Sequence, residues 1–134
     1  EISETGAHAS VDIRYPVTKD YQWIFETAAK AAAAFGLETT IPNRVDPLYI
    51  PEDQPLIQRL KEAYESATGE PCVLYSTGGG TYARHTNNRA VGFGPEFPGT
   101  IDNHAHNCNE QISLENFFTH AQICLEAMYQ LFTK

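Results

Sequence analysis

The longest periodic pattern in this chain of 134 residues lies near its end and predicts a long amphipathic helix. Apolar side chains recur there at the spacing of about 3.6 residues that places them on one face of a helix. Ser113 precedes the pattern and suits a helix start, because its hydroxyl can accept a hydrogen bond from a first-turn N–H. The apolar positions are Leu114, Phe117, Phe118, Ala121, Cys124, Leu125, Met128, Leu131 and Phe132.

The first third of the chain has the pattern of a β-α-β unit. Apolar and polar side chains alternate over residues 9–15, which predicts a strand. A helical period then runs from Thr18, which can cap the helix, to Gly36, which suits the position just after a helix end. Residues 37–45 predict a second strand. Together these elements indicate roughly half of an α/β sandwich.

The remainder predicts a helix, two short strands and the long final helix. Pro55 is typical of the first turn of a helix and Gly69 of its end. Short apolar runs at residues 72–75 and 90–93 predict strands. The fold class is therefore predicted to be α/β (α+β), with a boundary near Pro51.

Composition excludes some classes of function. The net charge of −8 argues against nucleic-acid binding, which needs a basic surface. No apolar run approaches the roughly 20 residues that a membrane span requires. Three cysteines without a CxxC pair favour a reducing compartment such as the cytoplasm. The chain opens at Glu1 and its only methionine is Met128, so we expect a processed product or a piece of a longer protein.

Candidate metal ligands occupy every second position between residues 102 and 110. On an extended backbone they would all project to one side, and imidazole, thiolate and carboxylate are the groups that zinc binds. Since tetrahedral zinc needs ligands that converge from different directions, most ligands would come from elsewhere. The alternative is a polar loop with solvent-exposed histidines. The run consists of Asp102, His104, His106, Cys108 and Glu110, and the other histidines are His8, His85 and His120.

Two further features are candidates for binding an anion. The glycine run 78–80, followed by Thr81, could let backbone N–H groups approach an anion, or it could be a flexible turn. Arg14 shares a predicted strand face with Asp12, and it could clamp a carboxylate or simply be exposed. Arg84 could serve the same purpose or pair with a neighbour. The spacing leaves these alternatives open.

Five short segments form a recognisable set in a fixed order. They are Asp12-Ile-Arg14-Tyr15-Pro16, Gly79-Gly80-Thr81-Tyr82-Ala83-Arg84, Val91-Gly92-Phe93-Gly94-Pro95, Phe97-Pro98-Gly99 and His106-Asn107-Cys108-Asn109-Glu110. In this order the set resembles the C-terminal part of the M20 metallopeptidases. Its nearest branch looks like the PepV-type dipeptidases, which act on Xaa-His or β-Ala-Xaa dipeptides.

The resemblance implies a di-zinc hydrolase whose catalytic α/β domain carries an inserted ferredoxin-like lid. Residues 1–50 would be the second half of the lid, and residues 51–134 the C-terminal part of the catalytic domain. Site residues follow by the same resemblance. Arg14 would bind the substrate's C-terminal carboxylate, Gly79 and Gly80 would lie in the loop that helps to hold it, His106 would be a zinc ligand, and Glu110 matches the acidic residue of the histidine motif.

The resemblance also implies what the chain lacks. The family's other zinc ligands, including a bridging aspartate, and its catalytic glutamate lie in an N-terminal half. We therefore expect this chain alone neither to hold zinc tightly nor to hydrolyse dipeptides. Expected partners are that N-terminal half, a dipeptide, and further copies of the chain, because half a lid would leave a sheet edge open. The alternative is a non-catalytic β-α-β module for oligomerisation or small-molecule binding.

Overall fold

The computed structural model describes residues 2–3, 6–94, 97 and 103–133 and is mostly helical. The regular elements, in chain order, are β1 (Ile2–Ser3), β2 (Gly6–Ala7), α1 (Tyr21–Ala33), α2 (Pro55–Thr68), a 3₁₀ helix (Tyr82–His85) and α3 (Leu114–Thr133). β1 and β2 form an antiparallel pair in which Ile2 lies opposite Ala7 and Ser3 opposite Gly6. The helices, not this short pair, provide most of the architecture.

The chain divides into two compact units. Unit 1 consists of residues 1–49 and 77–80, and unit 2 of residues 50–76 and 81–134. The glycine run 78–80 thus belongs to unit 1, although its neighbours on both sides in the chain belong to unit 2. The assignment of residues 1–50 to a lid and of residues 51–134 to a catalytic domain stays a prediction.

In unit 1, local signals determine both ends of α1. Asp20 caps its start, since the side chain accepts a hydrogen bond from the Gln22 N–H at 3.0 Å; Thr18, the predicted cap, lies outside the helix. Gly36 adopts a left-handed φ of 72°. The N–H groups of Gly36 and Leu37 donate to the carbonyls of Ala33 and Ala32, which is the Schellman arrangement of a helix end. Gly36 therefore plays its predicted part.

The two strands predicted in unit 1 are not formed, so that prediction is wrong. Residues 9–15 and 37–45 carry no strand, and Val11 remains 77% exposed. A strand is stable only when a neighbour accepts and donates its ladder hydrogen bonds, and the only such pair among the described residues is β1 with β2. The β-α-β unit, and with it the open sheet edge that led us to expect self-association, is therefore absent from the described part of the chain.

In unit 2, α2 follows its prediction closely. Pro55 stands at its start, where a missing N–H costs nothing. Lys61 pairs with Glu52 just before the helix, and the hydrogen bond to Glu52 raises the pKa of Lys61. Gly69 ends the helix in the left-handed region with φ of 73°, and its N–H donates to the Glu65 carbonyl.

The core of unit 2 lies where α2 packs against α3. Leu60 and Ala63 of α2 and Ala127 of α3 form one buried cluster. Ala63 and Ile123 are both 0% exposed, and small residues such as alanine let two helices approach closely. Val91 and Phe93 are half-buried and pack against this cluster.

The short strands predicted in unit 2 are also not formed. Residues 72–75 and 90–93 have no strand assignment. Val73 is 79% exposed and Tyr75 is 68% exposed. The run 72–75 was predicted to be buried, and that prediction is wrong. The reason is again the missing ladder: an isolated apolar run gains nothing from extension unless a sheet covers it.

The final helix forms as predicted but presents an unexpected face. Ser113 accepts a hydrogen bond from the Asn116 N–H at 3.1 Å, which caps α3. An amphipathic stripe ordinarily faces the core, yet Phe118 is 66% exposed, Leu125 68% and Phe132 84%. Despite this apolar surface, none of the helices in the described ranges combines the length and the hydropathy needed to cross a membrane.

We predict that truncating Ile123 destabilises unit 2 far more than truncating Leu125, two positions along the same helix. Ile123 is 0% exposed and Leu125 is 68% exposed. Ile123→Ala should cost about 2–5 kcal/mol of the free energy of unfolding because it leaves a cavity. Leu125→Ala should stay within about 0.5 kcal/mol. Urea denaturation followed by circular dichroism measures both, and equal losses would contradict this description of the core.

Candidate functional site

The Arg14 guanidinium is held from two sides within unit 1. Its Nε and Nη2 atoms donate to Asp12 Oδ2 at 3.2 and 3.1 Å. Its Nη1 atom donates to the Gly78 carbonyl at 2.6 Å, across a separation of 64 residues. The group is nevertheless open to water, with 61% of the Arg14 side chain and 75% of the Asp12 side chain exposed.

The contacts with Asp12 and Gly78 use only some of the N–H donors of the Arg14 guanidinium. A guanidinium carries two N–H groups on each terminal nitrogen and one on Nε. Asp12 takes the Nε edge and Gly78 takes one N–H of Nη1. One N–H on each terminal nitrogen therefore remains without an acceptor among the described residues. Two parallel N–H groups on the terminal nitrogens of a guanidinium match the two oxygens of a carboxylate or phosphate.

The glycine loop differs from the anion cradle that the sequence suggested. The Gly79 N–H donates to Thr77 Oγ1 at 3.1 Å, so it does not point at a ligand. Gly78 offers its carbonyl to Arg14, which orients a cation and repels an anion. A Cβ at Gly78 would lie 3.8 Å from Arg14 Cδ, an ordinary contact. The role of Gly79 and Gly80 in holding a carboxylate stays a prediction.

Thr81 and Arg84 belong to unit 2 and have local structural roles. Thr81 Oγ1 accepts a hydrogen bond from the Ala83 N–H at 3.3 Å and caps the 3₁₀ helix. The Arg84 N–H donates to the Thr81 carbonyl at 3.2 Å. The buried Arg84 Nε has no hydrogen-bond partner among the described residues. Arg84 is thus half-buried, and its Nε–H lacks an acceptor within the described ranges.

The histidine run forms turns, not the extended strand that would align its side chains. His104, His106 and Asn109 adopt left-handed φ values of 55°, 64° and 61°, which non-glycine residues adopt rarely. The Gln111 N–H donates to the Asn103 carbonyl at 2.9 Å and closes the loop. The alternation therefore does not place the candidate ligands on one side. Asp102 lies outside the described residues.

The described residues do not by themselves fit a metal centre. No group of three or more histidine, cysteine, aspartate or glutamate side chains among them is arranged to hold an ion. His106, Cys108 and Glu110 are all exposed. A structural zinc site needs four converging ligands and a catalytic one about three. If His106 binds a metal, the other ligands come from outside these residues.

The three cysteines are free, as the sequence suggested. Cys72 is half-buried, and its N–H donates to Glu65 Oε1 at 3.0 Å. Burial, and then the charge of Glu65, raise the pKa of the Cys72 thiol. The Cys72 thiol is consequently harder to deprotonate than that of an ordinary cysteine.

A second arginine in unit 1 escaped the sequence reasoning. Arg44 donates through Nε and Nη2 to Asp46 Oδ1 at 3.1 and 2.6 Å, and its Cζ lies 3.9 Å from the Tyr21 ring centroid. The hydrogen bond to Asp46 raises the pKa of Arg44. A shallow cleft of about 270 Å³ lies beside this group, with Tyr15 on its wall. The sequence signal that could have indicated this ion pair is the spacing Arg44-x-Asp46, the reverse of Asp12-x-Arg14.

Comparison with known proteins defines the class to which this chain belongs. The family model described as peptidase family M20/M25/M40 matches residues 5–130. Because the match spans nearly the whole sequence, the chain belongs to this peptidase family. No solved structure matches the chain significantly.

Individual relatives agree with the family assignment. The chain is 35% identical over 126 residues to "Putative dipeptidase YtjP" of Bacillus subtilis (strain 168), which covers 94% of this chain and 26% of that protein. It is 30% identical over 129 residues to "Putative dipeptidase SH1171" of Staphylococcus haemolyticus (strain JCSC1435), covering 96% of this chain and 27% of that protein. The chain thus spans about a quarter of the length of these curated relatives.

We predict that Asp12, and not Asp46, restrains the Arg14 side chain. Asp12→Asn should weaken the bonds at Nε and speed hydrogen exchange of the Arg14 Nε–H, since a neutral acceptor forms the weaker bond. Folding stability should change by less than about 1 kcal/mol because the pair is exposed. Nitrogen-edited NMR measures the exchange.

The matched control is Asp46→Asn, which should speed exchange at the Arg44 Nε–H and leave Arg14 unchanged. If Asp12→Asn left the Arg14 exchange rate as it was, the restraint would not exist in solution.

Proposed function

We propose that this chain is the part of an M20 dipeptidase that binds the C-terminal carboxylate of the substrate through Arg14. The observation that carries the proposal is the pair of N–H donors left on the terminal nitrogens of a guanidinium whose other edge is already held. The names of the relatives support a dipeptide as the substrate, and the resemblance to the PepV-type branch favours Xaa-His or β-Ala-Xaa dipeptides.

The physical role of Asp12 and Gly78 in this proposal is to orient the cation. A free arginine side chain loses rotamer entropy when it grips a ligand, and a guanidinium held in advance has less to lose. The same contacts weaken the net attraction for an anion, because Asp12 carries a negative charge. Asp12 therefore favours binding of a ligand that hydrogen-bonds to both remaining N–H groups over binding of an anion that is held by charge attraction alone.

Exposure limits what the isolated chain can bind. Two unit charges about 4 Å apart attract by about 1 kcal/mol in bulk water and by about 4 kcal/mol near a protein surface of lower effective dielectric. With 61% of the Arg14 side chain exposed, salt screens the isolated site strongly. Tight binding requires a cover over Arg14 that excludes water, and we assign that cover to the rest of the peptidase.

The hydrolytic groups belong to the rest of the protein in this proposal. We carry over His106 as one metal ligand by its resemblance to the family's histidine motif, and zinc as the metal. In this proposal the chain binds and orients the substrate, and the rest of the protein supplies the other metal ligands and the groups that cleave it. The three free cysteines support a cytoplasmic location.

The direct test uses a chimera in which this chain replaces the matching 126-residue segment of the Bacillus subtilis relative. We expect Arg14→Lys to raise KM for a dipeptide about ten- to hundredfold, because it removes one charge-assisted hydrogen bond worth about 1.5–3 kcal/mol. KM for the same dipeptide with a C-terminal amide should not change. Arg44→Lys is the control and should leave both constants unaltered. Equal effects of Arg14→Lys on acid and amide would refute the carboxylate contact.

We also predict that the chain alone neither binds stoichiometric zinc nor hydrolyses carnosine. Equilibrium dialysis measures the zinc and a discontinuous assay of released histidine measures turnover, with the intact Bacillus subtilis relative assayed in parallel. Stoichiometric zinc together with clear turnover by the 134-residue chain would show that it contains a complete active site.

A further inference from the structure

The shallow cleft beside Arg44 lies wholly within unit 1, and Arg14 is not among the residues that line it. We propose that this cleft is a second binding site, for a small zwitterion of the free amino acid class. Its volume of about 270 Å³ is slightly below the range of about 300–1,000 Å³ of typical small-molecule sites. The cleft therefore suits a ligand of the size of a single amino acid.

Charges of both signs line the cleft and determine the class of ligand. Lys19 and Arg44 are cations, whereas Asp20 and Asp46 are carboxylates, so the four charges cancel. A simple anion that approached the cations would also be repelled by the carboxylates, and a simple cation would meet the converse. A ligand with one charge of each sign can pair with both kinds at once. A free amino acid carries both charges within a small volume.

Arg44 is held in place but keeps donors for a ligand carboxylate. Its Nε and Nη2 atoms donate to one oxygen of Asp46 at 3.1 and 2.6 Å, and its Cζ lies 3.9 Å from the Tyr21 ring centroid. Both N–H groups of Nη1 and one of Nη2 therefore lack an acceptor in the described part of the chain. Because the guanidinium is oriented in advance and its side chain is 47% exposed, a carboxylate can bind to it with little further loss of entropy.

The acidic side of the cleft likewise keeps acceptors for a ligand ammonium. Both bonds from Arg44 go to Asp46 Oδ1, so Asp46 Oδ2 receives no hydrogen bond from the described residues. Asp20 uses its Oδ1 to accept the Gln22 N–H at the start of α1, which leaves its second oxygen. An ammonium group carries three N–H donors, and these two oxygens are acceptors for it.

A buried hydroxyl on the cleft wall is an independent indication of a ligand. The Tyr15 hydroxyl is buried and has no hydrogen-bond partner among the described residues, which is costly for a polar group. It lies close enough to Arg44 to contribute, after Asp46, to the raised pKa of Arg44, although the two form no hydrogen bond of suitable geometry. Exposed side chains such as Arg44 change rotamer within nanoseconds, so a carboxylate bound to Arg44 can reach this hydroxyl.

The charges also favour a small ligand over a protein segment as the occupant. A protein surface that excluded water from the cleft would have to supply a partner for each of the four charges, because unpaired buried charges are costly. A small ligand pairs with the charges that it touches and leaves the others in water. In the described ranges Lys19 forms no ion pair, and its Nζ lies 5.7 Å from the Trp23 ring centroid.

The experiment is a titration of the isotope-labelled chain, followed by the backbone amide signals of residues 15–21 and 44–46 in NMR spectra. The probe is L-leucine. Its two matched analogues are L-leucinamide, which lacks the carboxylate, and N-acetyl-L-leucine, which lacks the ammonium group. The variants are Arg44→Gln and Tyr15→Phe at the cleft, with Arg14→Gln as the control for the other arginine of unit 1. Circular dichroism checks that each variant keeps its helices.

We expect L-leucine to shift these signals saturably, with a dissociation constant on the order of 1–10 mM because the cleft is open. Each analogue, and the Arg44→Gln variant with L-leucine, should bind at least about tenfold more weakly, since each lacks a charge-assisted hydrogen bond. Tyr15→Phe should weaken binding about two- to tenfold, as for a neutral hydrogen bond. Arg14→Gln should leave binding at the cleft unchanged.

Three results would overturn the proposal. N-Acetyl-L-leucine binding as tightly as L-leucine would show that the cleft recognises a carboxylate alone. Shifts that do not saturate, or that persist unchanged in Arg44→Gln and Tyr15→Phe, would show that no site exists there. Loss of leucine binding in the folded chimera with the Bacillus subtilis relative would assign the cleft to a contact with the rest of the peptidase.

This test is independent of the proposed function. The proposal gives the cleft no part in hydrolysis, so it does not alter the expectation that dipeptide KM is insensitive to Arg44. Leucine binding at the cleft without Arg14-dependent discrimination between acid and amide substrates would refute the proposed function alone. The reverse result would refute the amino acid site alone.

Discussion

The contact between α2 and α3 is the interaction on which unit 2 depends. Its buried cluster consists of Leu60 and Ala63 of α2 and Ala127 of α3, and Ile123 of α3 is, like Ala63, 0% exposed. The other large apolar side chains of α3 are exposed, and residues 9–15, 37–45, 72–75 and 90–93 have no ladder partner in the part of the chain that the structure describes. The exposed apolar side chains of α3 support the proposal that this chain is part of a longer M20 protein.

The helices could be predicted from the sequence because their ends are encoded locally. Gly69, Gly36 and Ser113 act through hydrogen bonds to residues a few positions away. Pro55 acts through its fixed φ and its missing N–H at the first turn. The strands could not be predicted correctly because a ladder is a contact between distant segments. Periodicity likewise gave the apolar stripe of α3, but it could not show that α2 would pack on the opposite side.

The candidate site likewise has a part that local sequence predicts and a part that depends on contacts between distant residues. The shared face of Asp12 and Arg14 follows from their spacing, and the structure adds the hydrogen bonds between them. The Gly78 carbonyl that completes the grip on Arg14 lies 64 residues away in sequence, and no local pattern indicates it. For His106, alternation suggested an aligned row of ligands, whereas left-handed backbone at His104 and His106 turns the chain instead. The family resemblance, not the spacing, therefore supports the metal assignment of His106.

We propose that this chain becomes a complete structure only within a longer M20 polypeptide. Amide hydrogen exchange tests it most directly, by comparing the isolated chain with the same residues inside the chimera. The account predicts that backbone amides of residues 9–15 and 72–75, which lack ladder partners here, exchange rapidly in the isolated chain and become strongly protected in the chimera, while the amides of α2 are protected in both. Rapid exchange of residues 9–15 and 72–75 in a folded chimera would contradict it.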